Sequence, residues 1–456
     1  MSGIPMPALI GSLLVIAVLS VVMVPRVRTV EGFFRGWGED GAAPGVLTLT
    51  FSQVTTWIFA RSLLNAAILG YFFGVAGALA YTAYYGSFLT GGLIVDRLRF
   101  THGQENVQGF LEARFGRHGT ASFNLLISLR LLTEVFANLL VVGIVFGVAG
   151  SAAYVGSILA VAGVTLAYSM TGGLRASLRT DVLQMIVLAG LLGLLFVMMV
   201  IHPAFDAGAI AASSPDLTGP GWVLLVVALL QVLSYPLHDP VMMDRGFLAD
   251  RATTRRSFLH AFWISALCIL AFGLLGVFAG LHRVGDEVLL VTLERLLGAP
   301  AMLALGLALV VSAASTMDST FSSASKLAVV DMRLAPASAR NGRLAMALFC
   351  LGGLALVFVG TDDLFAAVAV SGTASLFLTP VIVFSILGGR EVARWSYLAT
   401  FAVAGSVLYF LENSGYVSIV GTLTGLEHSY SKLLAITVVI LGAGFACFAL
   451  GLQPRR

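Results

Sequence analysis

Long apolar runs separated by short polar joints extend along the whole chain. Each run holds about 17 to 30 residues, enough for a helix that rises about 1.5 Å per residue to cross the hydrocarbon core of a bilayer. The pattern predicts thirteen membrane-spanning helices, near 7–25, 47–69, 71–95, 121–148, 153–171, 181–201, 221–238, 257–281, 298–330, 343–360, 363–388, 395–412 and 432–451. Since the joints are short, we expect no separate soluble domain.

Composition indicates that lipid is the main solvent of this chain. Of the 456 residues, 58% are hydrophobic and only 11% are charged, whereas a soluble domain carries about 25% charged residues. The first apolar run lacks a basic leading region and a small-residue cleavage site, so we interpret it as a retained helix rather than a signal peptide. Three cysteines match no metal-site spacing and are interpreted as packing residues, namely Cys268, Cys350 and Cys447.

Basic residues are distributed unevenly between alternate joints. With the amino terminus outside, the cytoplasmic joints carry 20 of the 26 Lys and Arg residues, the external joints carry three, and the spans carry three. Arg245 is counted here among the cytoplasmic set. Because cytoplasmic loops are enriched in Lys and Arg, the pattern predicts a bacterial inner-membrane protein with an external amino terminus and a cytoplasmic carboxyl terminus.

Several ionisable residues fall inside the predicted spans or at their ends. An ionisable group in a bilayer costs several kcal/mol (about 2.5 or more), so it usually faces a partner or a wet cavity. The residues concerned are Arg61, Arg130, Glu134, Asp181, Asp239, Asp318 and Lys326. Together they indicate a polar pathway through the bundle, although an Arg–Glu pair could also simply hold two helices together.

Three stretches carry a resemblance to a known family of transporters. They are YSMTGGLRASLRTDVLQMIVL from Tyr168 to Leu188, VSAASTMDSTFSSASKLAVVD from Val311 to Asp331, and NVQGFLEARFG from Asn106 to Gly116. A looser match is DPVMMDRGFLAD, which begins at Asp239. In this order and spacing they resemble the sodium/solute symporter family, whose members take up sugars, proline, pantothenate, sialic acid and small anions.

The resemblance implies an all-α membrane protein with a LeuT-like core of two inverted five-helix repeats. Substrate and ions would then meet near the midplane, where the first helix of each repeat is broken. The implied divisions are 1–46 for a leading helix and joint, 47–202 for the first repeat, 221–388 for the second, and 389–456 for two trailing helices. Pro236 and Pro240 independently predict the second break, whereas the first has no breaker in the sequence.

A stripe of hydroxyl side chains follows one face of the helix predicted near 298–330. Its members are spaced so that they share that face, and they are Ser312, Ser315, Thr316, Ser319 and Ser323. Sodium is a hard cation that prefers oxygen ligands, as other hard cations do. Helix packing is the alternative interpretation, because small residues let membrane helices approach closely.

The family resemblance assigns particular residues to a main sodium site. Ser315 and Thr316 would supply side-chain oxygens, and Ser312 would supply a carbonyl. Aligning Gly70 and Tyr71 with the family's glycine–aromatic pair implies two further carbonyls, from Thr55 and Ile58.

A second sodium site is implied on the cytoplasmic side, formed by Asp181, Asp318 and Ser319. Asp181 could instead cap the start of its helix, where a negative charge suits the helix dipole. A protonated Asp318 would also permit proton coupling.

The residues assigned to a solute cavity are Trp57, Arg61, Ser62, Arg130, Glu134 and Tyr235. A desolvated guanidinium binds a carboxylate well, so a free Arg61 or Arg130 favours a carboxylate-bearing solute such as an organic acid or amino acid. If Glu134 neutralises one of them, a zwitterionic or neutral solute fits equally.

These observations predict sodium-coupled symport by alternating access. The expected partners are the solute, Na+ and the bilayer, with no nucleic acid, and a monomer is compatible with the pattern. One alternative is a proton-coupled symporter of the same fold. Another is a sensor module acting with a separate partner. An enzyme is not expected, because the chain has no HExxH motif, nucleophile elbow or phosphate loop.

Overall fold

The computed structural model describes residues 4–359, 373, 375–412, 421–422 and 425–454. Regular structure in these residues is helical, apart from one isolated bridge between Val392 and Leu452. The helices are α1 (Met6–Met23), α2 (Val30–Arg35), α3 (Val46–Trp57), α4 (Ala60–Ala83), α5 (Ser87–Phe100), α6 (Val107–Phe146), α7 (Ala152–Gly172), α8 (Leu174–Val200), α9 (Ala207–Ala211), α10 (Pro220–Gln231), α11 (Tyr235–His238), α12 (Pro240–Gly246), α13 (Arg251–Leu281), α14 (Leu289–Lys326), α15 (Ala339–Val359), α16 (Arg394–Glu412) and α17 (Ser429–Leu450). A shorter apolar helical segment occupies Ser375–Leu387.

Nine helical stretches in the described residues are long and apolar enough to cross a membrane. The predicted span near 363–388 lies partly outside the described residues, and two others correspond to helices that are interrupted. Apolar side chains also cover the outside of the bundle: Leu14 is 60% exposed and Val22 is 75% exposed. Exposed apolar surface on this scale is what a lipid solvent requires, and the chain is a multi-pass membrane protein.

The chain reverses direction at Gly74, within one continuous helical stretch of 41 residues from Ala60 to Phe100. Gly74 has φ 62°, a conformation that only glycine adopts readily. After it, the Tyr81 hydroxyl lies 3.1 Å from Ser62 Oγ, so the two arms are antiparallel. The sequence placed this boundary near residue 70, four residues too early. Gly70 instead lies inside the first arm.

Small residues bring α4 and α13 into close contact. A Cβ atom on Gly276 would lie 2.0 Å from the Ala67 carbonyl oxygen, and one on Gly70 would lie 2.2 Å from the Gly273 carbonyl oxygen. Backbone approach of this kind is the usual basis of helix packing in membranes. The pair therefore forms a tightly packed support for the segment that precedes α4.

The first interrupted helix is the α3–α4 pair. The helix ends at Trp57, and the next two residues leave the helical conformation: Ile58 has φ −85° and ψ 61°, and Phe59 has φ −75° and ψ 158°. No proline or glycine accounts for this break, so it was not visible in the sequence. Carbonyls next to such an interruption lack their usual helical partners and can bind other groups.

The second interrupted helix comprises α10, α11 and α12. It stops at Gln231, resumes for one turn at Tyr235, and breaks again at Asp239, which is extended at φ −103° and ψ 99°. Pro236 and Pro240 lie in the first turns of α11 and α12, where the missing N–H costs little. The sequence prediction of a break at these prolines is confirmed by this geometry.

Candidate functional site

The break between α3 and α4 faces the hydroxyl stripe of α14. The Ser312 hydroxyl donates a hydrogen bond to the Ile58 carbonyl. One turn further along, Thr316 Oγ1 donates to the Thr56 carbonyl over 3.4 Å. All four residues are buried, so carbonyls and hydroxyls from two separate helices converge inside the bundle.

Thr55 was expected to supply a carbonyl to the main sodium site, but its neighbour Thr56 is the residue whose carbonyl contacts α14. The Thr55 hydroxyl donates to the Phe51 carbonyl of its own helix at 2.9 Å. The backbone carbonyl that contacts α14 belongs to Thr56, which the sequence did not single out. The closeness of Thr56 to Ile58 in the sequence could have suggested this carbonyl, but only the location of the break shows which carbonyl faces α14.

Ser315 connects this oxygen cluster to a buried carboxylate. Its hydroxyl donates to Asp181 Oδ1 at 2.7 Å, and Ser52 donates to Asp181 Oδ2 at 2.6 Å. Asp181 has no exposed surface. The residues assigned to the main and second sodium sites are therefore parts of one continuous polar cluster.

Asp318, a residue of α14, lies next to this cluster and faces α7 and α8. Its carboxylate accepts hydrogen bonds from Tyr168 at 2.8 Å, from Ser177 at 2.7 Å and from Thr180 at 2.9 Å. Ser177 also lies 2.8 Å from the hydroxyl of Ser319. Three helices thus surround Asp318 with hydroxyl groups.

Arg245 enters the same cluster from α12. Its guanidinium donates to Ser319 Oγ at 2.7 Å and to Ser52 Oγ at 3.0 Å, and it lies 3.9 Å from Asp181 Oδ2. The sequence placed Arg245 in a cytoplasmic joint, and that assignment is wrong: the residue is 0% exposed. The break at Asp239 turns α12 back into the bundle, so the polar stretch that looked like a loop is buried.

Arg130 forms a second, separate ionic group. It pairs with Glu134 one turn along α6, and its other nitrogen lies 3.2 Å from Asp239 Oδ2. Asp239 Oδ1 accepts from the Met242 amide at 2.9 Å and so caps α12. These residues line a small void next to Thr56.

A larger cavity lies on the α4 side of the break. Four of the six residues assigned to a solute cavity line it, namely Trp57, Arg61, Ser62 and Tyr235. Arg130 and Glu134 do not line it. Half of the remaining lining residues are aromatic, namely Phe59, Tyr81, Tyr84, Tyr85 and Tyr430, and Asn65 and Gln231 add amide groups.

Arg61 is the cationic residue of this cavity. Arg61 is buried, with 2% of its surface exposed. In the described part of the chain, no carboxylate oxygen lies within 4.0 Å of its guanidinium nitrogens. Its guanidinium carbon lies 5.1 Å from the centre of the Phe59 ring. The Arg61 Nε atom has no hydrogen-bond partner among the described groups, so this guanidinium keeps donor capacity for a ligand.

Among the solved structures that resemble nearly the full length of this chain are two transporters. The substrate-bound, outward-open state of a Na+-coupled sialic acid symporter matches with a TM-score of 0.73 and 16% identity, over 99% of this chain and 98% of that chain. Mhp1, a nucleobase-cation-symport-1 family transporter, was solved in a closed conformation with bromovinylhydantoin bound. It matches with a TM-score of 0.58 and 13% identity, over 94% of this chain and 97% of that chain.

No protein-family model and no curated protein matches the sequence. At these identities the structural likeness establishes the fold alone. Both neighbours are transporters rather than enzymes, and they cover nearly the full length of the chain. The chain is therefore an all-α, multi-pass membrane protein with the LeuT-like transporter fold.

Proposed function

We propose that this protein is a sodium-coupled symporter of a carboxylate-bearing solute, related to the sodium/solute symporter family. One observation carries the proposal. Hydroxyls of Ser312 and Thr316 meet the carbonyls of the α3–α4 break, directly beside a cavity that contains Arg61. We place the protein in a bacterial inner membrane, with the amino terminus outside and inverted repeats at 47–202 and 221–388.

The oxygen set at the break suits a sodium ion. Carbonyls of Thr56 and Ile58 and hydroxyls of Ser312, Ser315 and Thr316 are buried within one cluster. Hard monovalent cations take ligands of this type, and a hydroxyl that now donates to a carbonyl can rotate to offer its lone pairs instead. The Asp181 carboxylate, bonded to Ser315, supplies negative charge next to the ion.

Coupling follows from the site's construction. Its ligands come from α14 on one side and from the α3–α4 break on the other, so a sodium ion favours the state in which these elements are together. Solute in the adjoining cavity favours the same state. Since coupling free energies are reciprocal, sodium must raise solute affinity by the factor by which solute raises sodium affinity.

The carboxylate preference is supported by the different partners of two arginines. Arg130 already binds Glu134 and Asp239, whereas Arg61 faces the cavity with unused donor capacity. A guanidinium fork in an aromatic, desolvated wall pairs well with a carboxylate. The aromatic lining provides apolar contact for the rest of the solute.

Thermal unfolding of the purified protein against sodium tests the ion site, with choline holding ionic strength constant. At 100 times its dissociation constant, sodium should stabilise the native state by about 2.7 kcal/mol. Ser315→Ala combined with Thr316→Ala should abolish this stabilisation. Ser323→Ala is the matched control, because this buried α14 hydroxyl makes no described hydrogen bond. Undiminished sodium stabilisation in the double variant would sink the assignment.

Proton coupling is the second candidate, and it is favoured by the buried Asp318 carboxylate within the same cluster. Its signature is the absence of a sodium effect, together with an unfolding midpoint whose pH dependence disappears in Asp318→Asn. The same melting series therefore separates the two ions.

A further inference from the structure

We infer that the guanidinium of Arg245 takes the position of a second sodium ion, so that the chain binds one sodium per cycle. This inference rests on the proposed function and adds its stoichiometry. The residues implied for a second sodium were Asp181, Asp318 and Ser319. Two of these three are direct neighbours of the Arg245 side chain.

The contacts of Arg245 are those that a bound cation would need. Nη2 donates to Ser319 Oγ at 2.7 Å and to Ser177 Oγ at 3.3 Å, and Nε donates to Ser52 Oγ at 3.0 Å. Nη1 donates to the Val241 carbonyl at 3.2 Å. Oxygens from α3, α8 and α14 therefore surround one guanidinium, at the point where these helices meet.

The position of this positive charge excludes a cation from the place between Ser319 and Asp181. An ion bound by Ser319 and Asp181 would lie within a few ångströms of a guanidinium that is 0% exposed. Water does not screen two like charges at that depth, and their repulsion is correspondingly strong. Ser319, one of the residues of the implied second site, already accepts a hydrogen bond from Arg245, and Asp181 lies 3.9 Å from the same guanidinium.

With both carboxylates ionised, charge balance leads to the same number. The described cluster contains two carboxylates, Asp181 and Asp318, and one guanidinium. One exchangeable cation at the neighbouring main site, where Ser315 bonds Asp181, makes the cluster neutral. A second sodium would leave a net positive charge inside the bilayer, which is costly.

Binding of ²²Na+ to the purified full-length protein tests this inference. Wild type should bind about one sodium per chain with a Hill coefficient of about one. Arg245→Ala removes the fixed cation and opens space between Ser319 and Asp181, so the bound sodium should double and the Hill coefficient should exceed one. Arg245→Lys keeps a cation and should retain a single sodium. Arg255→Ala, at an exposed arginine of α13, is the matched control.

The outcomes separate this inference from the proposed function. Wild type that binds two sodium ions overturns the inference and leaves sodium coupling intact, and this holds even if Arg245→Ala does not fold. A folded Arg245→Ala variant that still binds one sodium also overturns it, since Arg245 then serves only to hold helices together. Wild type with no saturable sodium binding overturns the proposed function itself.

Discussion

At the scale of single residues, three buried arginines differ in their partners. Among the described residues, Arg61 has no carboxylate within ion-pair distance, Arg130 has two, and Arg245 lies in a cluster of hydroxyls beside Asp181. The same side chain can therefore serve three purposes: to bind a ligand, to join helices, and to take the place of an ion. Its surroundings decide which.

Arg61→Gln should weaken binding of carboxylate solutes while leaving sodium stabilisation unchanged. A hydrogen bond to a charged group contributes about 1.5–3 kcal/mol, so affinity should fall by roughly 10- to 150-fold. Competition between a carboxylate library and the corresponding amides, in saturating sodium, measures the effect. Wild-type preference for carboxylates in the variant would contradict the role of Arg61.

Arg130→Gln is the natural comparison for that experiment. Removing this cation leaves Glu134 and Asp239 buried without their partner, and breaking a buried pair costs about 3–5 kcal/mol of stability. The variant should therefore melt at a lower temperature, in contrast to Arg61→Gln. If both variants lost only solute affinity, the two arginines would belong to one binding site.

At the scale of elements, interrupted helices and close backbone contacts position the site. The α3–α4 break exposes carbonyls to α14, and α13 supports α4 through glycine contacts. The tight α4–α13 packing leaves α4 little freedom to shift relative to α13.

Gly276→Ala tests the α4–α13 contact. The added methyl would lie 2.0 Å from the Ala67 carbonyl oxygen, and overpacking of this kind costs about 1–3 kcal/mol. The melting temperature should fall. Gly193→Ala on α8, where an added Cβ meets nothing within 4 Å, is the matched control and should not lower it. Equal melting temperatures for the two variants would show that the interface tolerates separation.

Glu287 stabilises the segment between α13 and α14 through its ion pair with Arg295. Its contribution to the free energy of unfolding should depend on pH. Hydrogen bonds from Arg295 lower the pKa of the Glu287 carboxyl from 4.5 to about 2. Because the folded pKa is the lower one, the stabilisation is complete above about pH 4.5 and is lost as the pH falls through about 2.

Melting of wild type and Glu287→Gln between pH 7 and low pH measures this contribution. The two melting temperatures should differ by a constant amount above about pH 5 and converge below it. Asp286→Asn, a neighbouring exposed carboxylate, is the control and should show a smaller difference. A difference that grows as the pH falls would contradict the assignment.

At the scale of the whole molecule, lipid-facing apolar surface encloses a polar interior. Moving Arg245 into the bundle leaves 19 of the 26 basic residues in the predicted cytoplasmic joints, one fewer than the 20 counted from the sequence. The predicted orientation is therefore unaffected. The cavity at Arg61 and the cluster at Arg245 lie on opposite sides of the α3–α4 break.

Much of the fold and part of the site could be predicted from local pattern. The hydroxyl face of α14 follows from helical spacing, and the break at Pro236 and Pro240 follows from proline geometry. The break at Ile58 was implied by the family resemblance alone, because its residues would by their local pattern fit an unbroken helix. Thr56 and Arg245 were missed for a related reason: their roles depend on which way a neighbouring break turns the chain.

By itself, the sequence determined that this chain crosses the bilayer many times and that one helix carries a row of hydroxyls. Hydropathy and helical periodicity are properties of consecutive residues, so they can be read without a partner. The tertiary structure alone decided which arginine faces a cavity, which pairs with carboxylates and which enters the polar cluster around Asp181. Those partners lie far apart in sequence, as with Arg130 and Asp239 or Arg245 and Ser52. Only packing of the helices brings such groups within hydrogen-bonding distance, and in a bilayer that pairing decides what each charge does.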